Sequence, residues 1–136
     1  MKKNKMKKIL TAAFCAAMAS PALAQGWPTG YEGVILQGFY WDSYSDSQWK
    51  NLEKQAPELG SYFSLLWVPQ SGKCLEEHNV MGYTPYYYFD QNSSFGSEAE
   101  LRSMIRAMHQ NGVGVLADVV INHHNTSGWF SFPKEE

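Results

Sequence analysis

With 136 residues the chain has room for at most one domain, and 44% hydrophobic with 18% charged residues is the composition of a globular protein rather than a disordered one. Beyond residue 24 there are six basic and thirteen acidic residues, which give a net charge of −7. This acidic balance argues against nucleic acid or an anionic membrane surface as a partner.

Residues 1–24 have the three parts of a secretory signal peptide. A basic stretch, MKKNKMKK, precedes the apolar stretch ILTAAFCAAMAS, and ALA stands before Gln25 as a cleavage site. The apolar stretch is shorter than the ~20 residues of a membrane-spanning helix, which disfavours a membrane anchor. We therefore expect a bacterial protein that is secreted or periplasmic, monomeric, and free of the membrane after cleavage.

In chain order, the first predicted element is a buried strand at the start of VILQGFYWD (34–42), which runs into an aromatic loop. A helix follows, because Ser45 and Gln48 have the spacing of a capping box and apolar residues then recur at helical intervals up to Gly60. The residues of this apolar face are Trp49, Leu52, Ala56 and Leu59. The stretch YFSLLWVP (62–69) predicts a second buried strand, which Pro69 stops.

The rest of the chain repeats this order. Ser97, with Glu100 as its capping partner, predicts the start of a second helix, which Asn111-Gly112 closes. Its apolar face consists of Leu101, Met104, Ile105 and Met108. The stretch VGVLADVVI (113–121) predicts the third buried strand.

Alternating apolar strands and helices predict an α/β fold with a parallel sheet, either a (β/α)8 TIM barrel or an open doubly wound sheet. The barrel is favoured because no glycine-rich phosphate loop follows the first strand, and because the connection from Pro69 to Gly96 is far longer than a usual βα loop. A complete barrel takes about 250 residues. We therefore interpret the chain as the first three βα units of a barrel, preceded by a signal peptide.

The ends of the three predicted strands carry most of the polar and aromatic side chains of interest. They are Gln37, Phe39, Tyr40, Trp41 and Asp42 after the first strand, Gly82 and Tyr83 in the second loop, and Asp118, Asn122 and His123 at the third. In a barrel these positions converge on one face. Flat aromatic rings beside amide, imidazole and carboxylate groups are what a sugar needs, since a pyranose has a weakly apolar face and a rim of hydroxyls.

These stretches carry a family resemblance. DVVINH (118–123) resembles the first short conserved motif of the α-amylase family, glycoside hydrolase family 13. QGFYWD, GYTPYYYFD and FGSEAELRSMIRAMHQNGVGVLADVVINHH together are similar to the start of plant-type and related bacterial α-amylases, over nearly all of residues 33–124. The resemblance lies in the order and spacing of several stretches and not in a single hexapeptide.

The resemblance implies roles for individual residues. Asn122 would be a ligand of a structural Ca²⁺, a cation that takes oxygen ligands. His123 would hydrogen-bond the sugar at the cleaved bond, and Tyr83 would stack on the same sugar. Asp118 would be a buried supporting carboxylate, and Trp41, which could equally be a core residue, is assigned to substrate binding. The catalytic nucleophile and acid/base would lie beyond Glu136, so no catalytic residue is expected in this chain.

The resemblance also implies a division of the chain and an activity. Residues 25–124 would be the N-terminal part of the catalytic barrel and residues 125–136 the start of a domain that protrudes after the third strand. The expected protein is a retaining α-amylase that acts on α-1,4-glucans. The alternatives are a catalytically inactive carbohydrate-binding relative, a family enzyme acting on other α-glucosidic linkages, and a zinc hydrolase using Asp118 with His123.

Overall fold

The computed structural model describes residues 31–75, 78–87 and 89–125. The predicted signal peptide and residues 126–136 of the predicted protruding segment lie outside these residues. In chain order the elements are β1 (Ile35–Gln37), α1 (Trp49–Leu59), β2 (Leu65–Val68), β3 (Lys73–Cys74), β4 (Pro85–Tyr87), α2 (Glu98–Gln110) and β5 (Gly114–Ala117). No helix within the described ranges has the length and apolar character needed to span a bilayer.

Strands β1, β2 and β5 form a parallel sheet in which β2 is central. Leu65 pairs with Ile35 on one side and Gly114 on the other, and Trp67 pairs with Gln37 and Leu116. The prediction of a parallel α/β arrangement is therefore confirmed for the described residues. The three strand ends that follow Gln37, Val68 and Ala117 lie at the same edge of the sheet.

The third strand is shorter than predicted, and this changes the environment of Asp118. β5 ends at Ala117, although the Asp118 N–H still donates to the Val68 carbonyl oxygen at 3.3 Å. Asp118 is half-buried rather than buried. Val119 and Ile121 are 64% and 80% exposed, because no described strand pairs with the outer edge of β5.

Both predicted helices are present, and their apolar faces pack together against the sheet. Trp49, Leu52 and Ala56 of α1 are buried, while Leu59 is half-buried. From α2, Leu101, Met104 and Met108 are buried and Ile105 packs against their edge. These side chains form one core with residues of the sheet and its connections, namely Phe39, Leu66, Val68, Met81, Phe95 and Val113.

The two predicted capping boxes have different outcomes. At α2 the prediction is confirmed: the Glu100 N–H donates to Ser97 Oγ at 3.3 Å, and the Ser97 N–H donates to Glu100 Oε2 at 2.9 Å. At α1 it is wrong, because the N-cap residue is Gln48 and no side chain caps it, while Ser45 donates to the Asp46 carboxylate instead.

A tertiary contact replaces the missing cap of α1. The Trp49 N–H, one of the N–H groups at the start of the helix that have no partner within it, donates to the Phe95 carbonyl oxygen at 2.9 Å. Glu53 of α1 accepts a hydrogen bond from Ser103 Oγ at 2.8 Å, and Lys50 forms an ion pair of 2.6 Å with Glu100. The start of α1 is therefore fixed by contacts with α2 and with the loop that precedes α2.

The connection predicted as one long loop contains a second, smaller sheet. β3 and β4 pair antiparallel, with Lys73 opposite Tyr87 and Cys74 opposite Pro85. Cys74 is buried. The short strands have too few residues for an alternating pattern to show in the sequence, which is why they were missed.

The two capping boxes give a matched pair of variants. Ser97→Ala should lower the free energy of unfolding by about 1 kcal/mol, because it removes a cap that serves an otherwise orphaned N–H. Ser45→Ala should change it by less than about 0.5 kcal/mol, as for an exposed residue without a cap role. Urea unfolding of the intact protein measures both, and equal losses in the two variants would contradict the assignment of the caps.

Candidate functional site

The loop after β1 carries the first aromatic residues of the site. Gly38 lets this strand lie close to β2, since a Cβ there would stand 2.7 Å from Leu66 Cδ1 and 3.2 Å from the Trp67 carbonyl oxygen. Phe39 then turns into the core and meets the Trp67 ring edge-to-face at 5.3 Å. Trp41 points outward and is 70% exposed, so it is not a core residue.

Tyr83 is the residue around which the predicted site residues gather. Its ring lies parallel to that of Trp41, with the ring centroids 6.2 Å apart. Its hydroxyl donates to Asp118 Oδ2 at 3.0 Å, and its carbonyl oxygen lies 2.8 Å from His123 Nε2. Four of the five predicted site residues are thus brought together from three separate parts of the chain.

These contacts fix the protonation of two groups. A carbonyl oxygen only accepts, so the 2.8 Å contact with the Tyr83 carbonyl requires a proton on His123 Nε2. Burial raises the pKa of Tyr83 to about 12, and the hydrogen bond to Asp118 and the negative charge of that carboxylate act in the same direction. The Tyr83 hydroxyl therefore remains a neutral donor to Asp118 throughout the physiological range.

Asn122 does not join this cluster. It is exposed and takes no part in the three contacts that Tyr83 makes. An amide oxygen at a strand end suits a hard cation, but Ca²⁺ takes six to eight oxygen ligands and Asn122 supplies one. Within residues 31–75, 78–87 and 89–125, no group of three His, Cys, Asp or Glu side chains is placed to hold a metal ion.

His124, which follows His123, faces a different environment. Its ring is half-buried and lies with its centroid 5.5 Å from that of Tyr86. The two adjacent histidines therefore contact different residues: His123 contacts the Tyr83 carbonyl oxygen, and His124 contacts the Tyr86 ring.

A cavity of about 630 Å³ opens next to Asp118, within the usual size of a small-molecule site. Its lining includes Gln70, Ser71, Phe89 and Asp118, together with residues 119–121. Trp41, Tyr83 and His123 are not among the lining residues, so only the Asp118 carboxylate belongs both to the cavity and to the cluster around Tyr83.

Sequence reasoning missed one buried polar residue at this edge. Gln70 follows Pro69 at the end of β2 and is only 6% exposed. Its Nε2 donates to the Gly82 carbonyl oxygen at 2.8 Å. Its burial has no local signal, because a polar residue after a strand is ordinarily an exposed loop residue.

The fold and the site together define a class of protein. The exposed Trp41 ring, the half-buried Tyr83 ring, an imidazole and a carboxylate lie together beside the carboxyl edge of a parallel sheet, and aromatic rings with polar groups next to them suit the binding of a sugar. The chain thus has the features of a carbohydrate-active α/β protein.

Comparisons with known proteins make this class specific. No family model matches the chain. The probable α-amylase 2 of Arabidopsis thaliana is 38% identical over 91 residues, which are 66% of this chain and 21% of that protein. The glucan 1,4-α-maltotetraohydrolase of Roseateles saccharophilus is 36% identical over an alignment that covers 88% of this chain and 25% of that protein.

A solved structure gives the same result for the fold. It is α-amylase I of Eisenia fetida, in a variant bound to maltohexaose, with a TM-score of 0.59, 24% identity and coverage of 71% of this chain and 19% of that one. The sequence matches show that the chain belongs to the α-amylase family of glycoside hydrolases. It spans a quarter or less of the length of these relatives.

The raised pKa of Tyr83 predicts a difference in alkaline stability. Because the pKa is about 12 in the folded protein and about 10 when unfolded, the contribution of Tyr83 is complete below pH ~10 and is lost as the pH rises towards 12. The stability difference between the wild type and Tyr83→Phe should therefore be constant up to pH ~10 and shift against the wild type above it. Denaturant unfolding between pH 8 and 12 measures this, with Tyr62→Phe as a control on an exposed tyrosine. A difference that does not change with pH would contradict the raised pKa of the Tyr83 hydroxyl.

Proposed function

We propose that this chain is the N-terminal part of a retaining α-amylase that hydrolyses internal α-1,4-glucosidic bonds of starch- or glycogen-type glucans. The observation that supports it best is the convergence of Trp41, Asp118 and His123 on Tyr83. The relatives named above are a probable α-amylase and a glucan 1,4-α-maltotetraohydrolase, and the alignments cover 66% and 88% of this chain.

Each residue of the cluster has a role in this proposal. The exposed Trp41 ring and its parallel neighbour Tyr83 offer a flat apolar surface on which a pyranose stacks. His123 donates from Nε2 to the Tyr83 carbonyl oxygen. In this proposal its other ring nitrogen, Nδ1, accepts a hydrogen bond from a sugar hydroxyl. Asp118 accepts the Tyr83 hydroxyl, which suits a carboxylate that supports the site and does not attack the substrate.

Retaining hydrolysis needs two further carboxyl groups. One is the nucleophile, the other gives and then takes a proton, and they stand about 5 to 5.5 Å apart. In this proposal both lie beyond Glu136, on later strands of the same barrel, whose first three βα units are contained in residues 25–124. Residues 125–136 begin the protruding domain.

Asn122 is the residue proposed to hold Ca²⁺. Its exposed side-chain oxygen at the end of the third strand segment is of the right chemical type, and the other five to seven ligands would come from residues outside the described part. The ion, when bound, would fix the segment after β5 that carries Asn122 and His123. Its role would be structural and not catalytic.

The proposed enzyme acts outside the cytoplasm. The basic, apolar and ALA segments of residues 1–24 support export, which brings a monomeric enzyme to polymeric glucan in the periplasm or beyond. A second candidate, a carbohydrate-binding relative without activity, would use the same cluster around Tyr83, in which Asp118 supplies the carboxylate.

The full-length protein that carries this chain should hydrolyse starch with retention of the anomeric configuration. Reducing-sugar assays give the rate, and NMR of the first product formed gives the configuration. Retention requires the two-step mechanism with a covalent glycosyl-enzyme. Binding of maltohexaose without hydrolysis would favour the carbohydrate-binding candidate, and an inverted product would exclude the retaining mechanism.

Substitutions at two adjacent positions should separate sugar contact from calcium binding. His123→Ala should lower kcat/KM by about tenfold through loss of one hydrogen bond to the sugar, with little change in Tm because His123 is exposed. Asn122→Ala should lower Tm in calcium buffer and reduce the further loss caused by a chelator, because the ion is already poorly held. His109→Ala, at an exposed position of α2, is the control for both. If both variants matched the wild type, the roles of Asn122 and His123 would be wrong.

A further inference from the structure

The loop that carries Tyr83 is not part of the parallel sheet, so its position depends on contacts from elsewhere. Tyr83 lies between β3 and β4, a pair of only two and three residues. Such a short pair adds little rigidity of its own. A platform for a sugar needs to be held within a fraction of an ångström, so the residues that anchor this loop matter for binding.

Gln70 is anchored at the end of β2 and reaches this loop. It follows Val68 and Pro69, both buried, and is 6% exposed. Its Nε2 donates to the Gly82 carbonyl oxygen at 2.8 Å, and its Oε1 accepts the Gly72 N–H. The two ends of the amide thus have different partners, one in the segment after β2 and the other directly before Tyr83.

The two glycines make room for this arrangement. Gly82 has a φ of +93°, and a Cβ at this position would stand 2.7 Å from the Gln70 carbonyl oxygen and 3.0 Å from its Cβ. A Cβ at Gly72 would stand 3.0 Å from Gln70 Oε1. The Gln70 side chain therefore fits between two stretches of backbone that could not approach it as closely with larger residues.

We propose that Gln70 is a positioning residue of the sugar site, whose buried amide holds the Gly82–Tyr83 segment where Tyr83 forms the sugar platform. Gly82 is buried, and losing the Gln70 donor leaves its carbonyl oxygen without that partner. Displacement of Gly82 moves the next residue, and with it the stacking of Tyr83 on Trp41. The kinetic part of this inference rests on the proposed function, but the structural part does not.

Two variants remove the contact in different ways. Gln70→Glu keeps the size of the side chain but places an acceptor where the Gly82 carbonyl needs a donor, whereas Gln70→Leu removes both hydrogen bonds without adding a charge. Gln55→Glu, at an exposed position of α1, is the control for the added charge. Thermal unfolding of each full-length variant establishes the temperature range in which it is folded.

The first measurement reads the position of Tyr83 without any sugar. The full-length protein is labelled with 5-fluorotryptophan, and the ¹⁹F resonance of Trp41 is assigned by its loss in Trp41→Phe. Gln70→Glu and Gln70→Leu should shift this resonance in the direction seen for Tyr83→Ala, while Gln55→Glu leaves it unchanged. An unshifted Trp41 resonance in both Gln70 variants would overturn the proposal, whether or not the protein is an amylase.

The second measurement is kinetic, with maltohexaose as substrate. Both Gln70 variants should show a raised KM and a kcat/KM about tenfold lower, the effect of losing one buried hydrogen-bond partner. A partly unfolded enzyme would instead lose kcat with KM unchanged, and that result would overturn the positioning role. If the wild type is inactive, the proposed function fails, and the Trp41 resonance still decides the role of Gln70.

Discussion

The parallel pairing of β2 with β1 on one side and β5 on the other is the constraint on which the site depends. Because all three strands point the same way, their carboxyl ends deliver side chains to one edge. Trp41 comes from the first end, Gln70 from the second and Asp118 from the third. Each makes one contact to the Gly82–Tyr83 segment, so a loop outside the sheet takes its position from the sheet.

The helices show what local sequence can and cannot predict. The apolar faces of α1 and α2 followed from their helical spacing, since packing two amphipathic helices on a sheet requires that periodicity. The capping boxes had the same spacing in both, yet only Ser97 caps its helix. At α1 the helix begins only at Trp49, whose N–H donates to the carbonyl oxygen of Phe95, 46 positions later in the chain, and no local pattern could reveal that partner.

In the candidate site, too, some features follow from the sequence and others depend on long-range contacts. The strand ends identified Trp41, Asp118 and His123, and the loop after the second strand added Tyr83, because parallel topology brings the segments that follow its strands to one edge. The contacts among them could not be predicted from local sequence, because Tyr83 contacts Asp118 across 35 residues and His123 across 40. Gln70 was missed because the connection after β2 was interpreted as one loop, so a residue that bridges its two halves had no apparent partner.

The placement of Tyr83 has a consequence for how the site tolerates change. A residue on a strand is held by a ladder of hydrogen bonds, whereas Tyr83 is held by three contacts of its own and by the hydrogen bond from Gln70 to the preceding residue, Gly82. The ring stack and the hydroxyl bond fix its side chain, and the His123 and Gln70 contacts fix the backbone on either side of its Cα. Loops of different length can therefore join β3 to β4 without moving the ring, provided that the peptide groups of Gly82 and Tyr83 keep these two partners.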